Sequence, residues 1–176
     1  MILRGLFVAA ALLLSTALAP AAMALEEGTP APDFTLPDIQ EDQPAISLSA
    51  LRGKTVYVDF WASWCTPCLR SMPLINDLYT KYRDRGFEVV AINVDDPVED
   101  GREFLLGTPL DYLIAADTDS AVLDEYGVIG MPTSYLIDPQ GVVRLVHIGF
   151  KDKDIEIIEQ EITAVLDEAS PSVQQP

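Results

Sequence analysis

Thr55-Val-Tyr-Val-Asp-Phe-Trp-Ala-Ser-Trp-Cys-Thr-Pro-Cys68 is the stretch on which the reading of this chain turns. Its first half, Thr55 to Trp61, has the β-branched and aromatic content of a buried strand. From Cys65 onward, Leu69, Met72, Ile75, Leu78, Tyr79 and Tyr82 recur at three- and four-residue spacing, which predicts a helix ending before Gly86. Phe87 to Val94 then repeats the strand pattern. Strand, helix, strand predicts a βαβ unit whose strands are parallel and whose crossover is right-handed.

The chain contains 2 cysteines, Cys65 and Cys68, separated by Thr66 and Pro67. A stabilising disulfide works chiefly by removing loop entropy from the unfolded chain, and so short a loop offers little of it. A structural zinc site needs four ligands as a rule, and beyond these cysteines there is one histidine, His147, in a predicted strand. His147 is read as an ordinary partly buried residue and no metal site is expected. Redox chemistry remains. Cys65 falls at the start of a helix, where unpaired N–H groups and about half a positive charge favour a thiolate. Cys65 is therefore the expected nucleophile, and Cys68, one turn further in, the thiol that resolves the mixed disulfide. Pro67 is tolerated because the first helical turn makes no internal N–H bonds.

Outward from this unit, Asp33–Ile39 and Ile46–Leu51 are expected as short strands joined by a polar connection. Val98–Leu106 and Ser120–Tyr126 are expected as short helices with a strand over Asp111–Ala115 between them. Thr133–Asp138 and Val142–Ile148 form two apolar strands around Pro139-Gln140-Gly141, the pattern of an antiparallel hairpin. Ile155, Ile158, Ile162 and Val165 mark one face of a closing helix.

A length of 176 residues suits a single domain, and 49% apolar content suits a packed core. The formal charge of -17 argues against nucleic acid and against a polybasic membrane patch. Residues 1–24 read as an export signal: one Arg, an apolar run from Leu6 to Leu18, and Ala22-Met23-Ala24 as a cleavage site. An uncleaved membrane anchor is the alternative. Residues 25–32 form a lead-in, 33–169 the folded domain, and 170–176 a tail expected to be disordered.

Val58-Asp-Phe-Trp-Ala-Ser-Trp-Cys-Thr-Pro-Cys68, Gly130-Met-Pro-Thr133 and Tyr135-Leu-Ile-Asp138 together resemble the TlpA, ResA and CcmG (DsbE) branch of exported thioredoxin-like proteins over roughly residues 31–166. The resemblance implies an α/β thioredoxin-like fold, with a mixed central sheet flanked by helices, an N-terminal strand extension and a central insertion. It implies that Pro132 is cis and lies against the cysteines, and that the backbone of Met131 pairs with an extended substrate segment. Trp64, Thr66 and Pro67 complete the expected substrate-binding set, whereas Trp61 is assigned to the core. Pro73 matches the proline that kinks the active-site helix of thioredoxins.

The chain departs from that branch at Ser71, where many relatives place a Glu. It instead has Asp59, six residues before Cys65, as ordinary thioredoxins do. Asp59 is expected to have a raised pKa and to take the proton of Cys68 during resolution. Asp95, Asp96, Glu99 and Asp100 are read as a solvated acidic loop.

The resemblance implies a monomeric periplasmic thiol-disulfide oxidoreductase whose only redox group is the Cys65–Cys68 pair, without a separate cofactor. Potentials in the superfamily run from about −270 mV for thioredoxin to about −120 mV for DsbA. Thr66-Pro67 resembles the reducing branch, so the expected role is reduction of protein disulfides, for example in cytochrome c maturation, with electrons from a membrane donor of the DsbD or CcdA kind. A copper-binding or copper-reducing chaperone is the alternative. A DsbA-like oxidant is disfavoured because no long inserted helical domain is evident.

Overall fold

The computed structural model describes residues 25–169. The expected export signal and C-terminal tail lie outside the described residues. Within them the elements run β1 (Thr35–Leu36), β2 (Ile46–Ser47), β3 (Thr55–Trp61), α1 (Thr66–Tyr82), β4 (Phe87–Asn93), α2 (Glu99–Leu106), β5 (Leu113–Ala116), α3 (Ala121–Glu125), β6 (Thr133–Ile137), β7 (Val143–Ile148) and α4 (Asp154–Ala169). Five strands form one sheet in the order β5-β4-β3-β6-β7. β3, β4 and β5 are parallel, while β6 and β7 run antiparallel to their neighbours. The mixed sheet flanked by helices is the expected α/β, thioredoxin-like architecture.

β3 lies at the centre of this sheet and is buried over its whole length. Its alternation divides the core in two. Tyr57 and Trp61 face a cluster that includes Met72 and Ile75 of α1 and Ile158, Ile162 and Val165 of α4. Val56, Val58 and Phe60 face a second cluster with Tyr126, Tyr135 and the N-terminal residues Phe34, Leu36 and Leu48. Because both faces are covered, β3 reads as an apolar run interrupted by Asp59.

The N-terminal strands are shorter than their sequence suggests, two residues each. Pro37 lacks an N–H and ends the first, after which the chain turns to the margin of the large sheet. Ile39 N–H donates to the Ile114 carbonyl and Ala116 N–H to that of Pro37, both at 2.9 Å, along edge strand β5. At the opposite margin, Gly28 N–H donates to Val143 at 2.8 Å and Val143 N–H to Thr29 at 2.9 Å. The N-terminal extension thus pairs with both edges of the sheet, blunting the parts that would otherwise invite another chain. The second strand stops because residues Ser49–Leu51 wind into a 3-10 turn.

In the central insertion, β5 begins later than Asp111. That residue is tied to α1 instead: its N–H donates to Asn76 Oδ1 at 2.8 Å and its carboxylate accepts from Asn76 Nδ2 at 3.1 Å. α3 starts after Ser120, whose φ of 57° is left-handed and so outside the helix. None of the described helices is long and apolar enough to cross a membrane.

Ile162 of α4 is fully buried against the face that also covers the cysteines. Ile162→Ala should lower the unfolding free energy by about 2–4 kcal/mol with little change in the denaturant slope, as read by urea titration of the oxidised protein.

Candidate active site

β3 delivers the chain to a three-residue loop, Ala62 to Trp64, closed by a 3.0 Å hydrogen bond from Cys65 N–H to the Ala62 carbonyl. Cys65 is the N-cap of α1, and Pro67 sits in its first turn, where no backbone donor is lost. Cys65 and Cys68 are joined in a disulfide, their Cα atoms 5.3 Å apart. The Cys68 N–H donates to Cys65 Sγ at 3.3 Å, so an unpaired donor of the helix terminus is aimed at the leading sulfur. Cys65 retains 4% exposure and Cys68 none. Of the two cysteines, Cys65 is the more exposed. Trp64 beside it is 68% exposed and Trp61 fully buried, as their positions in the sequence suggested.

The Met131–Pro132 peptide bond is cis, as the resemblance implied. Pro132 is buried, while Met131 is partly exposed and packs against the cluster containing both cysteines. The Pro132 carbonyl accepts from Gly149 N–H at 2.8 Å, and Thr133 Oγ1 donates to the Gly130 carbonyl at 2.6 Å, which fixes this loop from both sides. Among the described residues none bonds to the main chain of Met131, leaving its N–H and C=O available. Thr66 is exposed and Pro67 partly so, at the rim of the disulfide.

Asp59 points to the same face of β3 as Tyr57 and Trp61, the face packed by α1. It is 3% exposed, and burial pushes its pKa up to about 7. The opposing influence is a 2.7 Å hydrogen bond from Ser134 Oγ to Asp59 Oδ1, made because Ser134 is the cross-strand partner of Asp59 in β6. The phenols of Tyr57 and Tyr112 lie close enough to feel this carboxylate, and both are driven upward first by burial and then by its charge. A carboxyl group with this midpoint exchanges protons near neutrality without leaving the core.

Ser134 and Tyr112 escape sequence reasoning because their relation to Asp59 depends on register and on packing across the insertion. Ser71, where the family resemblance would place a Glu, donates through Oγ to the Cys68 carbonyl at 2.9 Å and offers no acid-base group. His147 is partly buried, its Nε2 3.6 Å from Asp154 Oδ2. The acidic loop needs a correction: Asp96, Glu99 and Asp100 are exposed, but Asp95 is 1% exposed and holds Ser63. Its side chain turns inward because the backbone N–H of Ser63 has no strand partner and needs an acceptor.

The family model described as Redoxin matches residues 26–166. The thiol-disulfide oxidoreductase ResA of Geobacillus thermodenitrificans is 37% identical over 142 residues, 81% of this chain and 79% of that protein. ResA of Bacillus subtilis is also 37% identical, over 69% of this chain and 68% of that protein. Among solved structures, a protein of Chlorobium tepidum assigned as thiol:disulfide interchange protein DsbE shares 45% identity, covering 81% of this chain and 99% of that one, with a TM-score of 0.78.

A carboxyl group whose pKa is raised in the folded state binds a proton that the unfolded chain has already lost, so its contribution to stability falls as pH rises from about 4 to about 7. Asp59→Asn removes this dependence. The variant should therefore gain stability over the parent between pH 5 and pH 8, by about 2–3 kcal/mol, in paired urea titrations at the two pH values.

Proposed function

Since the chain belongs to the Redoxin family and is a thioredoxin-like thiol-disulfide oxidoreductase, we propose that Cys65 is its attacking thiolate, Cys68 its resolving thiol and Asp59 its proton acceptor. The observation that carries this reading is the Cys68 N–H aimed at Cys65 Sγ from the amino end of α1. A charge-assisted bond from this donor, together with the partial charge of the helix terminus, stabilises the thiolate and leaves the proton on Cys68.

In the first step the Cys65 thiolate attacks one sulfur of a client disulfide, forming a mixed disulfide and releasing the client's other sulfur as a thiolate. The Cys68 thiol then gives its proton to the Asp59 carboxylate and attacks Cys65 Sγ, which releases the second client thiolate. The client gains two electrons and the protein is left with the Cys65–Cys68 disulfide. No separate cofactor enters. Asp59 is suited to the transfer because a midpoint of about 7 lets it accept a proton during resolution and pass it on afterwards.

The client's own backbone is taken to lie along Met131, whose free N–H and C=O form a short edge for an extended segment, with Trp64, Thr66, Pro67 and Pro132 around it. Such recognition reads main chain more than side chains and suits a range of protein thiols and disulfides. The Thr66-Pro67 pair, by its resemblance to the reducing branch, favours the reducing direction. The proposed setting is the periplasm, following the signal-like residues 1–24, with the protein acting as a monomer on exported proteins such as those of cytochrome c maturation. A membrane dithiol donor of the DsbD or CcdA kind returns the electrons.

Three measurements test the reading. Cys68→Ser should accumulate a mixed disulfide between Cys65 and its client, recoverable from the periplasm and released by reductant; capture through position 65 failing in cells that hold the client refutes the assignment. Equilibration with a thiol buffer should give a potential nearer −270 than −120 mV, and a value at the oxidising end rules out the reducing role. In stopped-flow reduction of a client disulfide, Asp59→Asn should slow the resolving step about tenfold or more at pH 7 while the first attack keeps its rate.

A further inference from the structure

The loop between β3 and Cys65 is held from outside the βαβ unit. Asp95, two residues beyond the end of β4, accepts from Ser63 N–H at 3.1 and 2.9 Å through its two oxygens, and from Ser63 Oγ at 2.9 Å. Its Oδ2 accepts as well from Asn93 Nδ2 at 2.7 Å, and its own N–H donates to Asn93 Oδ1 at 3.2 Å. Every group facing the carboxylate is a donor, the arrangement that an acceptor-only ionised side chain requires. Asn93 is 1% exposed, and the central insertion reaches it through α2: a Cβ on Gly101 would lie 2.6 Å from Asn93 Nδ2 and 2.8 Å from its Oδ1. Glycine is what lets this helix close on the amide.

The charged surroundings are one-sided. β3 contributes the buried Asp59, and Asp96, Glu99 and Asp100 around the start of α2 are exposed, as is Arg70 on α1. Arg102 of α2 is engaged with the Ile39 carbonyl, Glu41 and Glu99. Among the described residues no Lys or Arg forms an ion pair with Asp95. The turn that Cys65 N–H closes on the Ala62 carbonyl at 3.0 Å keeps the Cys65 backbone nitrogen within about 8 Å of Asp95 Oδ2, which Ser63 N–H holds at 2.9 Å. That is within a Debye length of about 10 Å, and burial weakens screening further.

We propose that Asp95 is a positioning residue for the disulfide exchange: it fixes the loop ahead of Cys65, opposes ionisation of the Cys65 thiol, and is itself braced by Asn93 and Gly101 of the insertion. The helix terminus draws the thiol toward the thiolate and the Asp95 carboxylate pulls the other way. Their balance keeps the dithiol form from being overstabilised, which is what a reductant requires. The inference rests on Cys65 being the nucleophile.

The test is the pH profile of iodoacetamide alkylation at each cysteine of the reduced full chain, read by peptide mass spectrometry. Asp95→Asn removes the charge and should lower the Cys65 midpoint by about half a unit, so that Cys65 alkylates about threefold faster at pH 6. Ser63→Ala keeps the charge but removes one of its donors, and should move the midpoint upward. Opposite signs are the signature of electrostatics, whereas a loosened loop moves both variants the same way. Shifts of equal sign, or a fall in melting temperature with both midpoints unmoved, overturn the proposal. Should Asp95→Asn fail to fold, the Ser63→Ala shift decides the question alone, an upward movement supporting the proposal and any other refuting it. Gly101→Ala must displace Asn93 and should speed hydrogen exchange at the Ser63 amide about tenfold; unchanged exchange removes the insertion from the mechanism. A parent protein in which Cys68 rather than Cys65 is the more acidic thiol refutes the nucleophile assignment itself, a result distinct from all of these.

Discussion

The hydrogen bond from Cys68 N–H to Cys65 Sγ depends on two elements meeting at one point: a strand that ends and a helix that begins. A helix terminus offers unpaired donors wherever it occurs, but it acts on a sulfur only if the N-cap residue is held in register with it. Here β3 supplies the restraint. Central in the sheet and buried from end to end, it fixes the position of Trp61, and the loop to Cys65 has only three residues in which to vary. The packing of α1 and α4 on one face of the sheet then fixes the direction of the helix.

Placing a carboxylic acid inside that strand works against stability and gives the core a group that titrates near neutrality. Most positions of β3 contribute apolar area to one of the two clusters, while Asp59 contributes a group that burial keeps largely protonated up to neutral pH. Ser134 limits the cost by one hydrogen bond rather than by a countercharge. A Lys or Arg in its place would hold the acid ionised and remove its ability to take up a proton near pH 7. The core around Asp59 is accordingly polar but neutral, lined by the hydroxyl of Ser134 and the phenols of Tyr57 and Tyr112.

The added segments close the fold at both margins of the sheet. The N-terminal extension pairs with β5 on one side and with the start of β7 on the other, and it supplies Phe34, Leu36 and Leu48 to the second core cluster. The insertion places α2 against Trp61 through Phe104, their ring centroids 5.7 Å apart, and against Asn93 through Gly101. Both additions therefore pack on β3, the strand that leads to the cysteines.

Much of this was legible from local pattern. The order of the main strands and helices, the core role of Trp61, the exposed position of Trp64 and the part played by Pro67 follow from periodicity and from the rules of helix ends, which act over a few residues. Two-residue strands at the N-terminus, the late start of β5 and the inward turn of Asp95 did not, since each is decided by a partner far away in the chain: Ile114 for Ile39, Asn76 for Asp111, Ser63 for Asp95. The sequence by itself determined that two cysteines stand at the head of a helix behind a buried strand that contains an acid. Only the tertiary structure decided which donors that acid and Asp95 would meet, because register and burial are properties of the assembled sheet, and both the charge of a carboxyl group and its effect on a nearby sulfur depend on them.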